Sequence, residues 1–217
     1  MSDLPQPAPI PAIDPALLGR WRRVPVAVLV DLAPECQIDI AIRPLRPAGL
    51  QPALFGRAVT ARCDVPDFGA VLRAIALIEP GDVLMIDAGA SAAWAVIGEI
   101  LGGHLHRIGA SGIVCDGAVR DSAALAGLAD FPVYARHVNP LGPVGAQGKQ
   151  VNQRVTIGGC QIAAGDLVLG DADGLAALSP ARAAELIDLA EAKLALEAEW
   201  ISRLGADEPI ERVFGLR

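Results

Sequence analysis

Lysine is almost missing from this chain: its 217 residues include only Lys149 and Lys193. A Schiff-base enzyme needs a lysine desolvated in a pocket. These two lie in a Gly/Gln-rich stretch and in a charged helical pattern, so amine catalysis has no candidate. Basic charge is scarce altogether. Eighteen Lys and Arg stand against 25 Asp and Glu, a net charge of -7, which argues against nucleic acid as a partner. A small anionic substrate is still compatible with that balance, because one arginine can dominate a pocket.

Other absences narrow the class further. No apolar run approaches the roughly eighteen residues that cross a bilayer, so no membrane partner is expected. The opening MSDLPQPAPIPAIDP has no basic segment ahead of an apolar core, which speaks against a signal peptide. Cys36, Cys63, Cys115 and Cys160 lie far apart, with no C-x-x-C and no zinc spacing. The expected setting is reduced and cytoplasmic. What is abundant is apolar surface. Hydrophobic residues make up 53% against 20% charged, and the mean hydropathy is +0.42. That excess points to a covered subunit interface.

Residues 1–13 are Pro-rich and read as a loose arm, with one domain expected over 14–217. Asp14-Pro15 is a helix-start signal. VPVAVLVDL is apolar and β-branched, and IRPLRPAGLQP must be irregular. LFGRAVTARC alternates like a strand, and FGAVLRAIALI has helical spacing. EPGDVLMIDAG reads as a turn feeding a buried strand that ends at Gly89, followed by a short strand in AAWAVIG. EILGGHLHRIGA then reads as a helix, SGIVCDG as a buried strand, DSAALAGLA as a helix and FPVYARHV as a strand. After NPLGPVGAQGKQ the pattern is purely β, with a hairpin turn at Asp173-Gly174. Ser179-Pro180 opens a final helix over 180–204, about 38 Å long, whose end is expected to reach a neighbouring subunit. Alternating β/α units with a β-only tail predict an α/β fold with mixed parallel and antiparallel sheet.

Chemistry-bearing residues cluster in two places. In DGAVRDSAAL, Asp121 is either the N-cap of the following helix or a hard oxygen ligand for Mg²⁺ or Mn²⁺. Arg120 is either solvated or a planar fork for a carboxylate or developing oxyanion. In IGEILGG, Gly98 stands at a strand-to-helix junction. Free N–H groups from Gly98, Glu99, Ile100 and Leu101 could receive an anion there, with Glu99 positioned to handle protons. VLMIDAGAS lacks G-x-G-x-x-G, so neither a dinucleotide nor a methyl-donor cofactor is expected. His104 and His106 are two apart on a helix and point to different faces. A hairpin accounts for both acids of DADG, and no nucleophile elbow is present.

Taken together, IRPLRP, LFGRAVTARC, EPGDVLMIDAG, IGEILGG, GIVCDGAVRD, FPVYAR and GDLVLGDADG occur in one order. Over residues 25–180 the chain resembles the RraA-like family, which includes regulators of ribonuclease activity and metal-dependent 4-hydroxy-4-methyl-2-oxoglutarate aldolases. The resemblance implies a swivelling β/β/α fold and a homotrimer or dimer of trimers with sites between subunits. It implies Asp121 as the direct ligand of Mg²⁺ or Mn²⁺, and Arg120 as the contact to substrate and enolate. Gly98–Leu101 would be the carboxylate cradle, and Glu99 would order a water for proton transfer. Glu197 on the C-terminal helix would act in the adjacent subunit. The expected function is a class II type pyruvate lyase acting on a 4-hydroxy-2-oxo di- or tricarboxylic acid, with oxaloacetate decarboxylation as a side activity. The alternative is a non-catalytic regulator that binds an RNA-degrading protein complex. Three places depart from the aldolase pattern: Gly102-Gly103-His104 after GEIL, Phe68 after Asp67, and Leu196 before the helix glutamate.

Overall fold

The computed structural model describes residue 10 and residues 12–216; residues 1–9 and 11 of the Pro-rich arm lie outside the described residues. The chain opens with α1 (Pro15–Trp21) and α2 (Val26–Leu32), then the short β1 (Arg43–Pro44). Next come β2 (Leu54–Arg62), α3 (Gly69–Ile75), β3 (Asp82–Ile97), α4 (Glu99–Arg107), β4 (Gly112–Val119), α5 (Ser122–Gly127) and β5 (Val133–Val138). Five short strands follow: β6 (Gln150–Val151), β7 (Val155–Ile157), β8 (Cys160–Ile162), β9 (Leu167–Gly170) and β10 (Leu175–Leu178). Two helices, α6 (Pro180–Gly205) and α7 (Ile210–Val213), end the chain.

Among the described residues, eight strands form one sheet in the order β1-β5-β4-β3-β2-β9-β10, with β6 also on β2. The centre, β2 to β5, is parallel, as helical crossovers require. The two flanks are antiparallel: β1 on β5, and β9 on β2, with β9 and β10 joined as a hairpin. This is the mixed α/β architecture expected from the alternation of patterns. β4 is buried along its whole length, which explains why SGIVC is a continuous apolar run rather than an alternating one.

Three apolar clusters fill the molecule. One packs α3, α4 and α5 on one face of the parallel strands. A second joins α1, α2 and the first half of α6 to β9 and β10. The third lies under the β7–β8 hairpin. Buried carboxylates peg that hairpin to the sheet: Asp116 accepts from the Gly158 amide, and Asp87 from the Thr156 amide. In the second cluster the fully buried Trp21 donates its indole N–H to the Ala183 carbonyl at 3.0 Å. Ser179 caps α6 through the Arg182 amide. The buried residues of α6, Ala183, Leu186, Ile187 and Ala190, all lie in its first half. Its outer half exposes Leu196 and Ile201. Among the described residues no helix is long and apolar enough to cross a membrane.

One local reading changes. EPGDVLMIDAG and AAWAVIG are not separate strands but one β3 of 16 residues. Between Asp87↔Asp116 and Ile97↔Val119, ten residues of β3 run against three of β4. Gly89 and Ala90, both at positive φ, start this bulge, whose residues 89–94 are exposed or half-buried before the strand is buried again at Ala95. VPVAVLVDL, for all its β-branched residues, is the helix α2. The Asp171 carboxylate accepts the Val26 amide N–H at its start, and the same carboxylate orders the β9–β10 loop through Asp173 and Gly174. Tertiary capping overrides local propensity there.

Candidate active site

The site forms where the parallel strands β3 and β4 end side by side, at Ile97 and Val119. A crevice outside the carboxyl ends of parallel strands is where α/β sheets place ligands. From β3 the chain turns through Gly98 into α4. From β4 it turns through Arg120 and Asp121 into α5. The two turns are joined by the Arg120 amide, which donates to the Ile97 carbonyl at 3.0 Å.

Asp121 stands at the N-cap position of α5 but caps a different helix. Its backbone is left-handed, φ 52° and ψ 40°, and its side chain makes no capping bond to α5. Instead Oδ2 accepts the amide N–H of Glu99, the first residue of α4, at 3.1 Å. A non-glycine residue in this region carries backbone strain that its surroundings must hold in place. Arg120 Nε lies 3.7 Å from the same Oδ2, and both side chains are about two-fifths exposed. The pair is thus a solvated contact rather than a buried ion pair. Asp121 Oδ1 accepts no hydrogen bond among the described residues.

Gly98 allows this close packing. A Cβ there would lie 2.5 Å from Asp121 Oδ2 and 2.7 Å from Arg120 Cγ. Its backbone is extended, so the constraint is space and not φ. Glu99 donates its amide to Asp121, which leaves the Ile100 and Leu101 amides as first-turn donors without an intrahelical partner. The Glu99 side chain is exposed.

Together these turns line a cavity of about 320 Å³ bounded by Gly98, Ile100, Leu101, Arg120 and Asp121, and by the apolar Phe68, Leu72, Val96, Ile97 and Pro143. The structure therefore brings together Gly98, Ile100, Leu101, Arg120 and Asp121. It leaves Glu197 away from the cavity of its own chain, on the outer half of α6 with Lys193 Nζ at 3.2 Å.

The wall from Phe68 and Pro143 was not legible in the sequence. It depends on Asp67, whose carboxylate accepts amide N–H groups from Gln147 at 2.6 Å, and from Gly69 and Gly148 at 2.8 Å each. Those donors hold its pKa below the ordinary carboxylate value, the Gln147 amide contributing most. The run of glycines in NPLGPVGAQGKQ was the available signal. Gly69 and Gly148 are places where a Cβ would strike Ala146 backbone or Asp67. Gly102, one of the departures from the aldolase pattern, also has a structural reason: a Cβ there would collide with Leu125 of α5. All four cysteines are free, and Cys63, Cys36 and Cys115 are buried. Burial pushes the Cys63 thiol up to about 12, so it is no thiolate nucleophile.

Comparison with known proteins agrees with this architecture. Residues 27–176 match the RraA-like model, described as Aldolase/RraA. A protein of Halalkalibacterium halodurans named "Putative 4-hydroxy-4-methyl-2-oxoglutarate aldolase" is 31% identical over 179 residues, 82% of this chain and 83% of that one. An uncharacterized protein from Pseudomonas syringae shares the fold, with a TM-score of 0.81 at 22% identity over 94% of this chain and 98% of that one. Streptomyces coelicolor RraAS2, described as an unusual member of the RNase ES inhibitor RraA protein family, has a TM-score of 0.73 at 26% identity. That alignment covers 89% of this chain and 99% of the other. The chain belongs to the RraA-like family.

Proposed function

We propose that this protein is a divalent-metal-dependent lyase of the class II aldolase type. It would release pyruvate from a 4-hydroxy-2-oxo di- or tricarboxylic acid and decarboxylate oxaloacetate as a side activity. One observation carries the reading: a left-handed aspartate, an arginine and the first turn of a helix converge on one cavity at the carboxyl ends of parallel strands. The name of the Halalkalibacterium relative supports the aldolase half.

The donor set suits Mg²⁺ or Mn²⁺. Among the described residues no three His, Cys, Asp or Glu side chains gather to chelate an ion. A hard cation that keeps most of its waters needs only one or two carboxylates, and Asp121, with Oδ1 free of hydrogen-bond donors, would hold it. Bound there, the ion supplies Lewis-acid polarisation of the substrate's 2-oxo group.

The chain's own groups do the rest. The Ile100 and Leu101 amides receive the substrate carboxylate at the positive end of α4. Arg120 donates its planar fork to the oxygen where enolate charge grows as the C3–C4 bond breaks. Glu99, on the first turn of α4, holds a water that takes the 4-hydroxyl proton as the C3–C4 bond breaks and C4 becomes a carbonyl. The same water returns a proton to C3 of the enolate, giving pyruvate; with oxaloacetate the departing group is CO2 and only the second transfer is needed. No nucleotide cofactor and no nucleic acid enters this scheme.

Glu197 would act from a neighbouring copy, in a trimer or dimer of trimers. Ile100 at the cavity, Leu141 and Val144 in the segment that carries Pro143, and Leu196 and Ile201 on α6 are large apolar residues left exposed, which supports such a covering. Free cysteines suit the reducing cytoplasm. The second reading, a regulator binding an RNA-degradation complex, draws on the description of the Streptomyces relative. An aspartate held in the left-handed region with one carboxylate oxygen free in the cavity has no use in that role, which favours the enzyme.

Pyruvate release from oxaloacetate and from 4-hydroxy-4-methyl-2-oxoglutarate, coupled to lactate dehydrogenase, tests the proposal. Turnover with added Mg²⁺ or Mn²⁺ that disappears on chelation is expected. No metal-dependent turnover on either compound would reject it.

A further inference from the structure

We propose that Gly142 is a positioning residue: residues 139–148 form a fixed strap, and the guanidinium of Arg120 is seated against its glycine. This rests on the role given to Arg120 above.

The seat is visible in the contact itself. A Cβ added at Gly142 would fall on Arg120 Nη1 and come within 3.2 Å of Cζ. Gly142 does not have positive φ, so its backbone does not call for glycine. What calls for it is the arginine lying against it.

The strap is held from both ends. At its start the Asn139 amide donates to the Val119 carbonyl, and the Leu141 carbonyl accepts from Ala95 in the β3 bulge. The Asn139 side chain bonds the Ala92 carbonyl and accepts the Leu141 amide. At its far end the Val144 amide donates to the Pro66 carbonyl, and the Phe68 amide to the Gly145 carbonyl. Asp67 gathers the Gln147 and Gly148 amides, while Arg73 Nη1 donates to the Ala146 and Gly148 carbonyls. The bulge that hid β3 from a sequence reading thus anchors the segment under Arg120. With its backbone tied on each side, the strap fixes the guanidinium more firmly than its two-fifths exposure would suggest. A planar fork placed about 1 Å off its acceptor loses much of its catalytic value.

Gly142→Ala tests this. The atom in the way is the far end of a flexible, partly exposed side chain, so the fold should persist while the guanidinium swings out. The Arg120 Nε–H NMR signal, assigned with Arg120→Lys, should shift in Gly142→Ala. It should not move in Gly127→Ala, a site with nothing within 4 Å of the added methyl. Mn²⁺ affinity should stay within about two-fold, since Asp121 is untouched, while kcat/KM for oxaloacetate falls about 100-fold. Asp67→Asn, which weakens the strap from its other end, should move the same signal by less. An unmoved Arg120 signal in both variants, or a moved signal with wild-type kcat/KM, would overturn the proposal. Absence of turnover in the wild type would defeat the lyase reading instead, and the NMR signal would still decide the seat.

Discussion

Replacing Asp121 by glycine should leave the protein more stable than replacing it by alanine. Both variants lose the Oδ2 acceptor for the Glu99 amide, a cap worth about 1 kcal/mol. They differ in backbone. At φ 52° and ψ 40°, alanine takes on a left-handed penalty of about 1–2 kcal/mol. Glycine avoids that penalty but gives up about 0.5–1 kcal/mol of chain entropy. The balance favours glycine by about 0.5–1 kcal/mol, which is about 1–4 °C in midpoint for a chain of this size. Thermal unfolding of the two variants without added divalent metal measures it, and Asp121→Asn, which keeps an acceptor and tolerates the left-handed region, should unfold above both. Alanine equal to or better than glycine would show that residue 121 is not left-handed, and the geometry built on it would fail.

Two further outcomes follow from the packing around the site. Gly102→Ala should destabilise the fold by about 1–3 kcal/mol through overpacking, because the buried Leu125 of α5 occupies the space a methyl would need; denaturant unfolding reads it, and an unchanged midpoint would mean α4 and α5 are not in close contact. Asp67 sets an acid limb. Its folded-state pKa lies below the ordinary carboxylate value because it accepts amides from Gln147, Gly69 and Gly148. The stability it contributes is therefore complete above about pH 4 and is lost as pH falls through the depressed value. Midpoints recorded across acid pH should fall less steeply for Asp67→Asn than for wild type, and parallel curves would contradict the clamp.

Much of the architecture was legible because its signals are local. Buried parallel strands such as SGIVC read as unbroken apolar runs, and Asp14-Pro15 and Ser179-Pro180 announce helix starts that the structure shows capped by those very side chains. What was not legible depends on partners distant in the chain. α2 is a helix partly because Asp171 caps it from 145 residues away. The β3 bulge depends on a neighbour that advances three residues while it spends ten. At the site, the Arg120-Asp121 pair and the GEIL segment could be picked out by residue type. That Asp121 caps α4 rather than α5 could not, since aspartate suits an N-cap and a left-handed turn equally well. Phe68 and Pro143 reach the cavity through contacts between segments about 75 residues apart, the Asp67 clamp among them, and a glycine count gives no hint that Arg120 lies against Gly142.

The central claim is that Asp121 holds the ion on which pyruvate formation depends, and titrating Mn²⁺ into wild type and Asp121→Asn while following pyruvate release from oxaloacetate tests it most directly. The account expects saturable, metal-dependent release by the wild type. In Asp121→Asn, release should be lost at every Mn²⁺ concentration although the fold is intact. Equal activation of both proteins by Mn²⁺ would contradict it and move the ion elsewhere.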